Sequence, residues 1–439
     1  MSASTYKAAA KGSLRVFLVQ TAQGLAPSSG GYKANVHLLR TLAVGGHSAS
    51  QLCYATEDEI TTFSERAMKA GIDPNLDPLE LGQVQVGNES IEITAKAFTD
   101  EYSVYNEDTR AYLDHGNLTD RMNTLVKFLS KIIIRLQPTH IIFNDPLTMK
   151  VTAVHPARET FKRINIIHTA EQIPYGPFVA GVDGHCLSPA AENELLRDLD
   201  GIWAVSKAVK DYAWTYGKLE TTFLVHPTST YLDSVTGGLP RVRNNVDKTE
   251  VGMINPCPHK GLSILLALAQ MFPQMDFVVW KSWGSRPEHI AQLEAFPNIK
   301  IEQTTRNTDE IWDRIKVLLA PSLWHEAWGI VVTEAQLRGI PVIASNAGGL
   351  PEAKIGLPYC IPVKEVTGER HPNGDYVVAD QDIAPWADAL TKVMGNKEEY
   401  NALQSLTATT AAAWLNQLDS HAHERWFCEM LGLELEAAE

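Results

Sequence analysis

Ser322-Leu-Trp-His-Glu326-Ala-Trp-Gly329-Ile-Val-Val-Thr-Glu334-Ala is the run on which the reading of this chain turns, with seven residues, one a glycine, between two carboxylates. The apolar run Val317-Leu-Leu-Ala-Pro321 precedes it, so the pattern predicts strand, loop, then helix. Glu326 falls on the loop and Glu334 about one turn into the helix, whose first amides have no partner within the helix and favour an anion. A ligand with a phosphate-bearing half over Gly329 and a hydroxyl-rich half for carboxylate acceptors suits such a site, and a nucleotide sugar is one. Glutamates near a helix start are also ordinary surface charges, favoured by the helix dipole, so the surroundings must decide.

Outward from this run, short apolar stretches alternate with helical patterns, the signature of parallel sheets covered by helices. Strands are predicted at Leu14–Gln20, Ser48–Ala55, Val84–Ala95, Thr139–Asn144, Ile164–His168, Gly201–Val205 and Thr222–His226. A polar, glycine-bearing stretch from Pro227 to Glu250 interrupts them and reads as an interdomain connection. Alternation restarts at Val251–Asn255, Phe277–Trp280, Ile299–Glu302, Val317–Pro321, Pro341–Ser345 and Tyr359–Pro362. The expected architecture is α/β, with two Rossmann-like doubly wound domains facing a cleft: 1–228, then 229–414, with a C-terminal helix at 415–439 crossing back to the first.

The 439 residues suffice for two domains with real cores. A formal charge of −14 argues against nucleic acid or an anionic membrane surface as partner. Five scattered cysteines with no Cys-x-x-Cys pair indicate neither a disulfide framework nor a zinc site, which fits a reduced, cytoplasmic setting. No run resembles a signal peptide or reaches the eighteen or so apolar residues of a membrane span.

Other candidate site residues follow predicted strands. Gly30 and Gly31 open a helix after the first strand, though not in the Gly-x-Gly-x-x-Gly spacing of a dinucleotide fold. His168 ends an apolar strand, a place that suits a packed boundary histidine as well as a functional one. Lys260-Gly261 begins an apolar helix, where a lysine can meet a diphosphate as a point charge, and Gly348-Gly349 makes a second glycine turn. Asp198-Leu-Asp200 has the form of a metal–nucleotide motif but reads as surface charge, and no metal or cofactor is expected.

Taken together, Gly30-Gly31, Gly45-Gly46-His47, His168, Ala204-Val-Ser206, Lys260-Gly261, the run from Pro321 to Ala335, Gly339-Ile-Pro341-Val and Gly348-Gly349-Leu-Pro351-Glu352 resemble a family 4 retaining glycosyltransferase of the GT-B fold. The resemblance spans about 30 to 355. It implies that Glu326 holds hydroxyls of the donor sugar, Glu334 the nucleotide ribose and Lys260 the diphosphate. Amides at Gly31, Trp328, Gly329 and Ile330 would add phosphate contacts, with Gly349 assisting, and His168 would approach the reacting carbon. Two departures stand out. The arginine that usually precedes the lysine is missing from Gly252-Met253-Ile254-Asn255, leaving Arg286 or Arg306 to replace it. A glycine-rich turn after the next strand gives way to Lys281-Ser-Trp283-Gly284-Ser, so the nucleobase subsite is open, with Thr305 and Arg306 as candidates.

The implied activity is metal-independent transfer of a hexosyl group from a nucleotide-diphosphate sugar, UDP favoured, to a hydroxyl of a small, partly apolar acceptor. Tyr102, Tyr105, Tyr175 and Phe178 are candidate acceptor contacts. Two carboxylates also serve glycoside hydrolases, but there they flank the bond from two sides. The alternatives are a sugar phosphorylase or nucleotide-sugar epimerase of the same fold, or an idle sugar-nucleotide-binding module.

Overall fold

A computed structural model describes residues 13–20, 30–54, 80–81, 84–86, 89–91, 93–98, 117–178, 189–226, 231–232, 238–303, 305, 307–373 and 375–433. Two compact units emerge. Unit 1 comprises Met1–Val205, Lys210–Thr230 and Asp419–Glu439, and unit 2 comprises Ser206–Val209 and Tyr231–Leu418.

Unit 1 is built on an eight-stranded sheet. Its strands are β1 (Arg15–Gln20), β2 (Ser48–Tyr54), β3 (Glu80–Leu81), β6 (Ile93–Phe98), β7 (His140–Phe143), β8 (Lys162–Ile167), β9 (Gly201–Ala204) and β10 (Phe223–Leu224), in the order β10-β9-β8-β7-β1-β2-β6-β3. All pairings are parallel except that of β3 with β6. The single strand expected over Val84–Ala95 is instead an antiparallel pair, β4 (Val84–Val86) and β5 (Glu89–Ile91), followed by β6. Gly87-Asn88 supplies the punctuation in the sequence that an unbroken apolar count passed over.

Unit 2 has six parallel strands: β11 (Glu250–Ile254), β12 (Phe277–Trp280), β13 (Ile299–Glu302), β14 (Ile315–Ala320), β15 (Val342–Ser345) and β16 (Cys360–Ile361). Their order, β13-β12-β11-β14-β15-β16, is that of a dinucleotide-binding sheet and reverses direction between β11 and β14. Strands buried on both faces are nearly continuous apolar runs, as in Phe277–Trp280 and in Val342–Ser345 up to its last residue. Helices cover them, with Trp312, Trp328, Val332, Ile340 and Leu350 in one buried cluster with Ile315 and Leu318.

The C-terminal helix Ala422–Met430 lies in unit 1. Trp426 stacks on Phe223 of β10 at 4.1 Å, His423 sets its ring edge to Trp203 of β9 at 4.2 Å, and Phe427 lies 4.9 Å from His140 of β7. Gly201 is a glycine because of this helix: a Cβ there would meet Met430 Cε at 2.6 Å and Trp426 at 2.7 Å. Among the described residues, no helix is long and apolar enough to cross a membrane.

Candidate active site

In unit 2 the ligand-facing position of such a sheet is the carboxyl edge at its switch point. The loop after β11 carries Lys260 and the loop after β14 carries Glu326, so the two strands that flank the reversal deliver the two charged groups. Lys260 ends a short 3-10 turn, Pro258–Lys260, and Gly261 follows at φ +88°. That glycine lies hard against the next loop, since a Cβ would meet the Pro321 carbonyl oxygen at 2.1 Å. The His259 carbonyl accepts both the Leu323 and Trp324 amides at 2.9 Å, which locks the lysine turn to the glutamate loop. Lys260 Nζ donates directly to Glu326 Oε1, and both side chains are about four-fifths buried, at 20% and 17% exposure. The sequence reading assigned these groups to separate halves of a ligand; in the fold they are each other's partner.

Gly329, at φ +104°, caps the helix Ile330–Leu337, and only glycine suits that left-handed backbone here because a Cβ would strike Leu350 at 2.5 Å. The amides of the first helical turn lack intrahelical acceptors. Trp328 Nε1 donates to Thr333 Oγ1 at 2.9 Å and its ring stacks on Trp414 at 5.7 Å, fixing the backbone before the helix. Glu334 sits on the same helix, half-buried.

The Gly348-Gly349 turn serves this loop. Gly349 N donates to the Glu326 carbonyl at 2.6 Å, and Cβ atoms at 348 and 349 would meet the backbones of Glu326 and Ala327 at 2.3 and 2.4 Å. Its amide is therefore engaged in holding the Glu326 backbone. Gly348 N donates to Glu365 Oε1 at 3.0 Å, and Glu365 Oε2 lies 3.0 Å from His325 Nδ1. Burial works against the Glu365 carboxylate, yet the His325 and Gly348 bonds hold it below its ordinary range.

Sequence reasoning missed the segment after β16. Val366 N donates to the Leu323 carbonyl, and the stretch then folds back with Arg370 bridged to Tyr376. Tyr376 packs 5.0 Å from Trp324 and 6.2 Å from His259, and the Arg370 guanidinium lies 4.1 Å over its ring. Asp375 pairs with Arg286 at 2.7 Å. The Pro372-Asn373-Gly374-Asp375 turn signal was available in the sequence, but nothing there showed where the turn would dock. His259, at the centre of this cluster, is pushed down to about 3 by burial and by the neighbouring Lys260 charge. It is a neutral packing ring at physiological pH.

Glu288, His289 and Asp375 bring their ligand atoms within 4.8 Å of one another. Asp375 is already paired with Arg286, and His289 Nδ1 accepts the Arg286 amide at 3.2 Å, so the group is an ion-pair network. Arg306, Tyr102 and Tyr105 lie outside the described residues.

In unit 1, His168 follows β8 and the helix Gly30–Val44 follows β1. His168 Nε2 is 2.8 Å from Asn35 Oδ1, and Asn35 Nδ2 donates to Gln20 Oε1 at 3.0 Å. With the asparagine so oriented, His168 carries its proton on Nε2 and keeps the lone pair on Nδ1. Burial pushes its pKa down to about 4, so the ring is neutral. Gly31 makes room for it, since a Cβ there would meet His168 Cγ at 2.8 Å. Gln172 Oε1 accepts the His168 and Thr169 amides at 2.7 and 3.2 Å, fixing the backbone on the other side.

Of the four proposed acceptor rings, the two that are described, Tyr175 and Phe178, pack within unit 1. Phe178 is 3% exposed and stacked with Tyr212 at 5.9 Å, so its ring belongs to the core rather than to a ligand surface. Tyr175 packs its ring on Gly217, where a Cβ would meet Cζ at 2.0 Å. Asp198 and Asp200 are anchors: Asp198 pairs with the fully buried Arg163 at 2.8 Å and Asp200 with Arg158 at 3.2 Å.

Residues 250–396 match the family model described as Glycosyl transferases group 1. The D-inositol 3-phosphate glycosyltransferase of Mycolicibacterium smegmatis is 27% identical over 184 residues, 39% of this chain and 37% of that protein. An uncharacterised 41.2 kDa protein of the Klebsiella pneumoniae cps region is 61% identical over 36 residues, 8% of this chain and 10% of that one. The chain thus aligns with well under half the length of these curated relatives. Among solved structures, sucrose-phosphate synthase from Thermosynechococcus elongatus superposes with a TM-score of 0.67 at 16% identity, covering 95% of this chain and 98% of that one. Anabaena Alr3699/HepE, crystallised with UDP and glucose, gives 0.57 at 14% identity over 95% and 99%. Residues 250–396 are a group 1 glycosyltransferase domain, carried by a chain whose two parallel sheets have the GT-B fold.

Proposed function

We propose that the protein is a retaining glycosyltransferase of family 4 that moves a hexosyl group from a nucleotide-diphosphate sugar, UDP favoured, to a hydroxyl of a small acceptor. The observation that carries this reading is the Lys260–Glu326 pair at the switch point of unit 2, beside the first turn of the helix Ile330–Leu337. Breaking a sugar–phosphate bond leaves negative charge on the departing diphosphate, and an ammonium with oriented amides stabilises it. On donor binding Lys260 turns from Glu326 to the diphosphate, and Glu326 accepts sugar hydroxyls in its place. Glu334 accepts from the ribose, while the amides of Trp328, Gly329 and Ile330 face phosphate. Gly349 acts through the Glu326 loop that it holds. The Gly30–Gly31 helix start is a further anion-favouring terminus in unit 1.

In this reading no protein carboxylate attacks the sugar: the leaving phosphate takes the acceptor's proton, and the acceptor enters on the same face. Lysine and helix amides supply the charge stabilisation that a metal ion gives other transferases. The presence of UDP in the Alr3699/HepE crystals supports the choice of nucleotide. His168 is assigned to turnover rather than to donor retention.

The test is calorimetric titration of UDP-, GDP- and ADP-sugars, with transfer to water or added alcohols followed alongside. Donor binding by the wild-type protein together with its loss in Lys260→Ala is the expected result. Failure of every nucleotide sugar to bind would end the proposal.

A further inference from the structure

The loop after β12 takes an unusual form, Lys281-Ser-Trp283-Gly284-Ser-Arg286, and it is seated rather than loose. Ser285 N closes a turn onto the Ser282 carbonyl at 2.9 Å, and Lys281 N donates to the Glu302 carbonyl at 3.0 Å. Gly284 N donates to Asn255 Oδ1 at 3.1 Å. Gly284 leaves no room for a side chain, because a Cβ would meet Cys257 Sγ at 2.8 Å and Asn255 Oδ1 at 2.9 Å. Arg286 then pins the end of the loop to Asp375.

This seat presents one large side chain. Trp283 lays its ring on His259 at 5.6 Å and 29°, yet the residue is 67% exposed. Single exposed apolar residues are common on protein surfaces. Trp283 differs in that one indole face rests on a buried ring adjoining Lys260, and that ring is itself braced by Trp324 and Tyr376. A rigid aromatic with an open surface, next to the residue assigned to the diphosphate, suits a planar group joined to that diphosphate by a short linker.

We propose that Trp283 is the stacking platform for the nucleobase of the donor. The proposal rests on the nucleotide-sugar reading and deepens it by assigning the base subsite. Stacking on an aromatic side chain tolerates any base because every base offers a π-face. Trp283 therefore contributes affinity for the nucleoside part, and selection among bases falls to other groups.

The experiment compares UDP, GDP, ADP and inorganic pyrophosphate as ligands for wild type, Trp283→Ala and Trp283→Phe by calorimetric titration, with melting temperatures as a check on folding. Trp283→Ala is expected to weaken the preferred nucleoside diphosphate roughly tenfold. Pyrophosphate binding is expected to stay within about twofold, and Trp283→Phe to recover most of the loss. Unchanged nucleotide binding in Trp283→Ala overturns the inference and leaves the donor reading standing. Equal losses for nucleotide and pyrophosphate also overturn it, since the indole would then be bracing the Lys260 turn. A wild-type protein that binds neither nucleotides nor pyrophosphate sinks the donor reading itself, and this assignment with it.

Discussion

The carboxyl edges of the two sheets are made of opposite materials. That of unit 2 concentrates charge and aromatic rings: an ammonium on a carboxylate, Arg286 on Asp375, Arg370 over Tyr376, Trp283 over His259. The corresponding part of unit 1 is a neutral relay from Gln20 through Asn35 to His168, closed by Gly31. In the proposed reading, charge that responds to a ligand is partly exposed, whereas a ring that keeps one tautomer is buried among dipoles. On that reading one edge exchanges partners and the other keeps them.

The sharpest way to break this contrast is to remove the exchangeable charges. Glu326→Ala and Lys260→Ala are each expected to lower turnover by about a hundredfold or more, with melting temperatures shifted by only a few degrees. Near-normal rates in a transfer assay would leave unit 2 without the role given to it. Next in size is His168→Ala, for which a loss of about a hundredfold in kcat is expected while the calorimetric Kd for donor stays near that of wild type. A loss confined to donor affinity would contradict the division of labour between the edges. Asn35→Leu serves as its control: it removes the acceptor that sets the His168 tautomer and strands a buried N–H, costing about 1–3 kcal/mol in stability by denaturant titration.

Acid separates the units differently. Burial holds His140 and His168 at about 4 and His226 and His423 at about 3 in unit 1, against His259 at about 3 in unit 2 among the described residues. Each stays neutral when folded but takes a proton in the unfolded chain below its ordinary value of 6.5. The unfolded chain then binds more protons as pH falls from 6.5 towards 4, so stability falls by about 1.4 kcal/mol per pH unit for each such histidine. Amide hydrogen exchange is expected to show protection lost in β7–β9 before β11–β15; simultaneous loss would mean that the buried histidines are not what acid attacks. The smallest effect is expected from Gly349→Ala. Its Cβ must push the Ala327 carbonyl away, costing about 1–3 kcal/mol of stability, read as a lower melting temperature with donor affinity reduced in parallel.

How much of this was legible follows the same division. The second sheet announced itself because parallel strands buried on both faces are continuous apolar runs, and glycines at fixed offsets mark where loops touch. Lys260, Glu326 and Gly329 were singled out on those grounds, and the structure brings their loops together. That Lys260 and Glu326 bind each other was not visible, because their contact depends on the β11–β14 neighbourhood, which strand order sets and local sequence does not. Gly31 was found for another reason than the one that operates: it reads as room for a ligand, and the structure fills that room with His168. Tyr175 and Phe178 look like contact residues because aromatics near loops suit ligands, but the left-handed Gly176 between them lies against Tyr212, to whose hydroxyl the Phe178 amide donates. The hairpin bearing Arg370 and Tyr376 carried a turn signal and no sign of its destination.

The helix Ala422–Met430 sets an order of assembly. As the chain is synthesised, β7, β9 and β10 emerge with His140, Trp203 and Phe223, but the rings that cover them are encoded roughly two to three hundred residues later. Until Trp426 and Phe427 arrive, the nascent first unit leaves an apolar face uncovered, while unit 2 has all its described strands by residue 361. The half of the molecule made first is thus completed last.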